Sequence, residues 1–60
     1  MPNLTQVELN SIREVVACHQ TAHAKLAQFA EQCQDPKIKQ MFQQSSQEAS
    51  KSANKLLNIL

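Results

Sequence analysis

From Leu9 onward the chain carries apolar or small residues at alternating steps of three and four: Leu9, Ile12, Val16, His19, His23, Leu26, Ala30 and Cys33. That spacing is one face of an α-helix. Val15, Ala22 and Phe29 lie beside this row, so the stripe is wider than a simple two-helix seam needs. A second row follows at steps of four and three: Ile38, Phe42, Ser45, Ala49, Ser52, Leu56 and Ile59, broadened by Met41, Ala53, Leu57 and Leu60. The pattern predicts an all-α chain with one helix over 6–33, a turn over 34–36 and a second helix over 37–59.

Both helix starts are written into the chain. Thr5-Gln6-Val7-Glu8 is a capping box, in which the Thr5 hydroxyl takes the Glu8 amide and Glu8 reaches back to the Thr5 amide. Leu4 and Leu9 occupy the positions of a hydrophobic staple around it. Asp35-Pro36 sets an N-cap Asp before a Pro, the favoured opening of a new helix. So short a connection makes the helices antiparallel neighbours, each roughly 36 to 42 Å long.

Pairing across this hairpin places Cys33 near Ile38, Ala30 near Phe42, Leu26 near Ser45, His23 level with Ala49, His19 with Ser52 and Val16 with Leu56. The ends are greasy and the middle is small and polar. Two helices cannot enclose a core, and one side of each stripe would stay wet. Two hairpins docked face to face bury it as a four-helix bundle. The expectation is a homodimer with a core of Leu9, Ile12, Val16, Leu26, Phe29, Phe42, Ala49 and Leu56. A different partner with a similar hairpin would serve the same physics.

Composition narrows the reading. With 60 residues the chain is one domain, 1–60, and a domain of about that size is marginal alone. It has no Gly, which removes phosphate-cradling and dinucleotide loops and tight hairpin turns. Six basic and five acidic residues give a net charge of +1, spread from Arg13 to Lys55, so no nucleic-acid partner is expected. No apolar run approaches the roughly 20 residues of a membrane span. The opening Met1-Pro2-Asn3-Leu4-Thr5 has no basic and apolar leader pattern, so a cytoplasmic protein is expected.

Candidate chemistry is confined to a few side chains. His19 and His23, four apart on one helix, share a face and suit a divalent transition metal, and a two-fold dimer doubles them to four imidazoles, with Glu48 in support. The alternative is structural: two histidines packed in the seam and hydrogen-bonded to Ser45, Ser52 or Glu48. Catalysis is not expected, because no nucleophile, base and acid are spaced to meet. Cys18 and Cys33, roughly 22 Å apart along one helix, cannot pair with each other. Cys33 reads as a small apolar filler and Cys18 as an exposed thiol that is either inert or an interchain crosslink.

The run Phe29-Ala30-Glu31-Gln32-Cys33-Gln34-Asp35-Pro36-Lys37-Ile38-Lys39-Gln40-Met41-Phe42-Gln43-Gln44, with the opening Leu4-Thr5-Gln6-Val7-Glu8-Leu9, resembles the small ferritin-like, spore-coat-associated proteins of endospore-forming Firmicutes, the coat protein F-like group. The resemblance implies a ferritin-like hairpin that dimerises, a place in the spore coat, and other coat proteins as further partners. Fuller ferritin-like proteins bind two metals through a Glu on one helix and Glu-x-x-His on the next. Here His19, Ala49 and Ser52 stand at those positions, so the resemblance brings the fold without the usual ligands. The expected function is a non-enzymatic structural or assembly protein without a cofactor; the alternative is a metal-binding bundle centred on His19 and His23.

Overall fold

The computed structural model describes residues 3–60. Met1 and Pro2, part of the opening run read above for a leader, lie outside the described residues. Two helices account for nearly all the rest, α1 (Gln6–Gln32) and α2 (Pro36–Leu57), folded back on each other as a helical hairpin. Among the described residues there is no strand.

The caps work as the residues require. Thr5 Oγ1 accepts the Glu8 amide at 3.1 Å, and Glu8 Oε1 accepts the Thr5 amide at 3.0 Å. At the second start, Asp35 Oδ1 accepts the amides of Lys37 at 2.8 Å and Ile38 at 3.2 Å, and Pro36 is the first helical residue, where its missing N–H costs nothing. α1 stops one residue earlier than the periodicity suggests. Cys33 is extended at φ −80°, ψ 130°, and its N–H reaches back to the Ala30 carbonyl at 3.3 Å. No described residue takes a positive φ, so the turn is made without the conformation that favours Gly. α2 also ends earlier than 59. Ile59 and Leu60 donate to the carbonyls three residues back, Leu56 and Leu57, both at 3.1 Å, which tightens the last turn out of the α-helix.

Exposure across the hairpin falls into three rows. The inner row, Val16 and Ala30 of α1 with Ser46 and Ala53 of α2, contains every buried residue among those described. The middle row is half-buried throughout: Ile12, His19, Leu26 and Cys33 with Phe42, Ala49 and Leu56. The outer row is Val15, Ala22 and Phe29 with Ile38, Ser45, Ser52 and Ile59, and all but Ser52 are exposed. Phe29, placed in the core of a dimer by its spacing, is 47% exposed in the hairpin and touches Phe42, with ring centroids 6.0 Å apart.

α2 is therefore turned by one residue from the expected register. Ser46 and Ala53, not Ser45 and Ser52, face α1, while Phe42, Ala49 and Leu56 belong to both rows. Small side chains at Ala30, Ser46 and Ala53 bring the helices close. The hairpin is a rod of 46 × 15 × 10 Å with a radius of gyration of 14.2 Å, against about 10 Å for a compact domain of this length.

Candidate functional site

An antiparallel pair is related by a two-fold axis normal to the plane of its helices, so equivalent flanks of both helices fall on one side. The Phe29–Phe42 contact joins the helices on the flank of the middle and outer rows. Between residues 12 and 59 those two rows hold no Asp, Glu, Lys or Arg. Val15 at 42%, Phe29 at 47%, Ile38 at 46% and Ile59 at 38% exposure are its open apolar side chains. The opposite flank differs in kind. There Ala27, Ala30, Glu31, Gln43, Ser46 and Gln47 line an open groove of about 430 Å³.

His19 and His23 lie at the middle of the rod. His19 is the central residue of α1, and Ser46 lies at the centre of α2. His19 Nδ1 is 2.8 Å from the Val15 carbonyl oxygen, one turn back on its own helix. His23 Nδ1 is 2.8 Å from both the carbonyl and the hydroxyl oxygens of Ser46, and Ser46 Oγ donates to the His23 carbonyl at 2.9 Å. A carbonyl oxygen can only accept, so the hydrogen of each ring sits on Nδ1, and a neutral ring keeps its lone pair on Nε2. The partner of His23 is thus Ser46, none of the expected Ser45, Ser52 and Glu48, and His23 meets Ser46 where the spacing places Ala49. The one-residue turn of α2 explains Ser46 in place of Ser45; the step from Ala49 to Ser46 is three residues along α2 and is a shift in level as well.

A serine hydroxyl 2.8 Å from an imidazole resembles a nucleophile and its base. The bonding says otherwise. The Ser46 hydroxyl gives its proton to the His23 backbone, His23 Nδ1 is already a donor, and Ser46 is 4% exposed. The arrangement locks the two helices in register.

The remaining candidates are spread out. Glu48 is exposed and accepts a 3.5 Å bond from Gln44. It shares a polar groove with Gln40, Gln43, Gln44, Gln47 and Lys51, away from the histidines. Among the described residues no three His, Cys, Asp or Glu side chains gather as a metal group, so His19, His23 and Glu48 are not brought together within one chain. Cys18 is exposed and Cys33 half-buried, both as free thiols. No described helix is long and apolar enough to cross a membrane.

The fold and site define an all-α hairpin with one face free of charge between residues 12 and 59, bounded at its α1 start by Glu8, one heptad before Val15. Residues 14–58 match the family described as protein of unknown function (DUF1657), and the chain belongs to that family. Comparison with curated proteins gave no match, nor did comparison with solved structures.

Proposed function

We propose that the hairpin is a non-enzymatic assembly protein that works as a homodimer, two copies docking by their apolar faces into a four-helix bundle of ferritin-like form. The observation that carries this reading is the graded exposure of the three rows. A lone hairpin maximising burial would turn Ile38 and Ile59 inward. This one commits Ser46 and Ala53 to the contact and leaves the isoleucines open. The chain exposes 4780 Å², against roughly 3900 Å² for a compact protein of 6.7 kDa. The excess, about 900 Å², is close to the ~800 Å² that each partner contributes to a standard interface. A second copy supplies the matching surface: the same length and, on that face, the same lack of charge.

The resemblance of the turn to coat protein F-like proteins supports the spore coat as the place of assembly and other coat proteins as further partners. Size-exclusion chromatography with light scattering tests the dimer. Twice the chain mass of 6.7 kDa is expected at micromolar concentration, and a monomer there overturns the reading. A fluorescent fusion excluded from the coat of a sporulating host would remove the coat assignment and leave the dimer standing.

A further inference from the structure

Each chain carries two imidazoles whose bonding leaves the same nitrogen free. His19 and His23 are one turn apart on α1, where side chains four residues apart are neighbours. Each holds its Nδ1 hydrogen against a backbone carbonyl at 2.8 Å. That outer hydrogen bond is what metal-binding histidines ordinarily make, because it fixes the ring and directs the Nε2 lone pair at the ion. Both side chains remain accessible: His19 is half-buried and His23 exposed. Two ligands do not hold a transition metal firmly, and no third His, Cys, Asp or Glu of the described chain joins them.

Symmetry supplies the rest. His19 is the midpoint of α1. A two-fold axis across the rod with full overlap, or along it, brings the middle of one hairpin to the middle of the other. At that level the open face carries Ala22, Ser45 and Ala49, small side chains that leave room between the copies. We propose that His19 and His23 are half of a divalent transition-metal site, completed by the same two residues of a second copy, with four Nε2 atoms around one ion. Four neutral imidazoles suit zinc, cobalt or copper and exclude the hard, oxygen-seeking calcium and magnesium. The proposal rests on the dimer reading.

The test is a cobalt(II) titration of the untagged chain, followed by visible absorption and light scattering on the same samples. The expected result is one ion per two chains with the intense absorption of four-coordinate cobalt. Zinc should displace it and magnesium should not. The His19→Ala/His23→Ala variant should lose the absorption while circular dichroism shows its helices retained. A second variant, Ala22→Glu, keeps both histidines but charges the docking face, and should lose the absorption as it becomes a monomer. A dimer that takes up no cobalt overturns the metal site and leaves the dimer reading intact. A monomer that takes up none overturns both. One ion bound per monomer, or absorption retained without the histidines, overturns the shared site.

Discussion

The two flanks of the hairpin are built from the same helices and differ in one respect, the side chains just outside the seam. On one flank the residues beside the contact are Val15, Phe29, Ile38 and Ile59. On the other they are Ala27, Glu31, Gln43 and Gln47 around an open groove, with Leu57, 42% exposed, two heptads along from Gln43 as its one large apolar side chain beside the contact among the described residues. Glutamine and glutamate at a groove edge are satisfied by water and gain little from a partner. Aliphatic and aromatic side chains left 38 to 47% exposed gain about 25 cal/mol for each Å² covered. The difference gives the rod a wet side and an apolar side, the one proposed above to dock. It also accounts for a chain that buries so little by itself: among the described residues, only Val16, Ala30 and Ala53 form its apolar core.

The sharpest way to break this contrast is one substitution made on each side. Ala22 and Ala24 are both exposed and both on α1, two residues apart, and each can become Glu with little loss of helix propensity. Ala22 stands in the outer row of the docking flank; Ala24 points away from it. Ala22→Glu places a carboxylate in the proposed dimer interface of both copies and should weaken association by about 100-fold or more. Ala24→Glu should leave association unchanged. Sedimentation equilibrium on the pair decides it, and equal behaviour of the two variants would abolish the distinction between the flanks.

A second pair separates the seam from the docking flank. Ser46→Ala removes the hydroxyl that reaches the His23 carbonyl and the ring, and should cost about 1–2 kcal/mol of stability in urea unfolding. Ser45→Ala, next door in the outer row, loses no described hydrogen bond and should stay within about 0.5 kcal/mol of the parent. Reversal of that order would mean that α2 sits in the register its hydrophobic spacing suggests.

That register is where reading the sequence ran out. The α1 seam was legible because its alternatives are poor: Leu9, Ile12, Val16 and Leu26 fit a single face. α2 offers two rows with the same alternating period, sharing Phe42, Ala49 and Leu56; one adds Ile38, Ser45, Ser52 and Ile59, the other Lys39, Ser46, Ala53 and Leu60. Periodicity weighs side-chain polarity and so favours the row with Ile38 over the one with Lys39. That preference is overridden by a bond across the hairpin, Ser46 to His23, which no pattern along one helix records. The histidine pair was legible for the same reason as the α1 seam. Its free Nε2 atoms were not, since they depend on which carbonyls the rings find. Spacing groups Glu48 with the histidines, and the turn of α2 carries it into the polar groove instead.

The caps lie on neither flank and so act as controls. Asp35→Ala removes the acceptor of two amides at the start of α2 and should cost about 1 kcal/mol. It leaves every side chain of both flanks in place. Its urea midpoint should fall, and the native chain outside the unfolding transition should keep the parent's oligomeric state. A variant that became a monomer under native conditions would show that the docking face depends on how α2 begins.

The smallest expected effect is a pH dependence at the other cap. The Glu8 carboxyl lies below its ordinary value of 4.5, first because it accepts the Thr5 backbone amide and second through the Thr5 hydroxyl; burial opposes these weakly. The folded chain therefore gives up this proton at lower pH than the unfolded chain does. The stabilisation is complete above the ordinary value and is lost as pH falls through the lowered one. Glu8→Gln keeps an acceptor for the capping box and removes the titration. The gap in melting temperature between parent and variant should be constant above about pH 5.5 and narrow towards pH 3. Other carboxylates cancel in the difference because both chains carry them. A gap that stays constant down to pH 3 would mean that Glu8 holds Thr5 as well neutral as charged, and that the cap owes nothing to its charge.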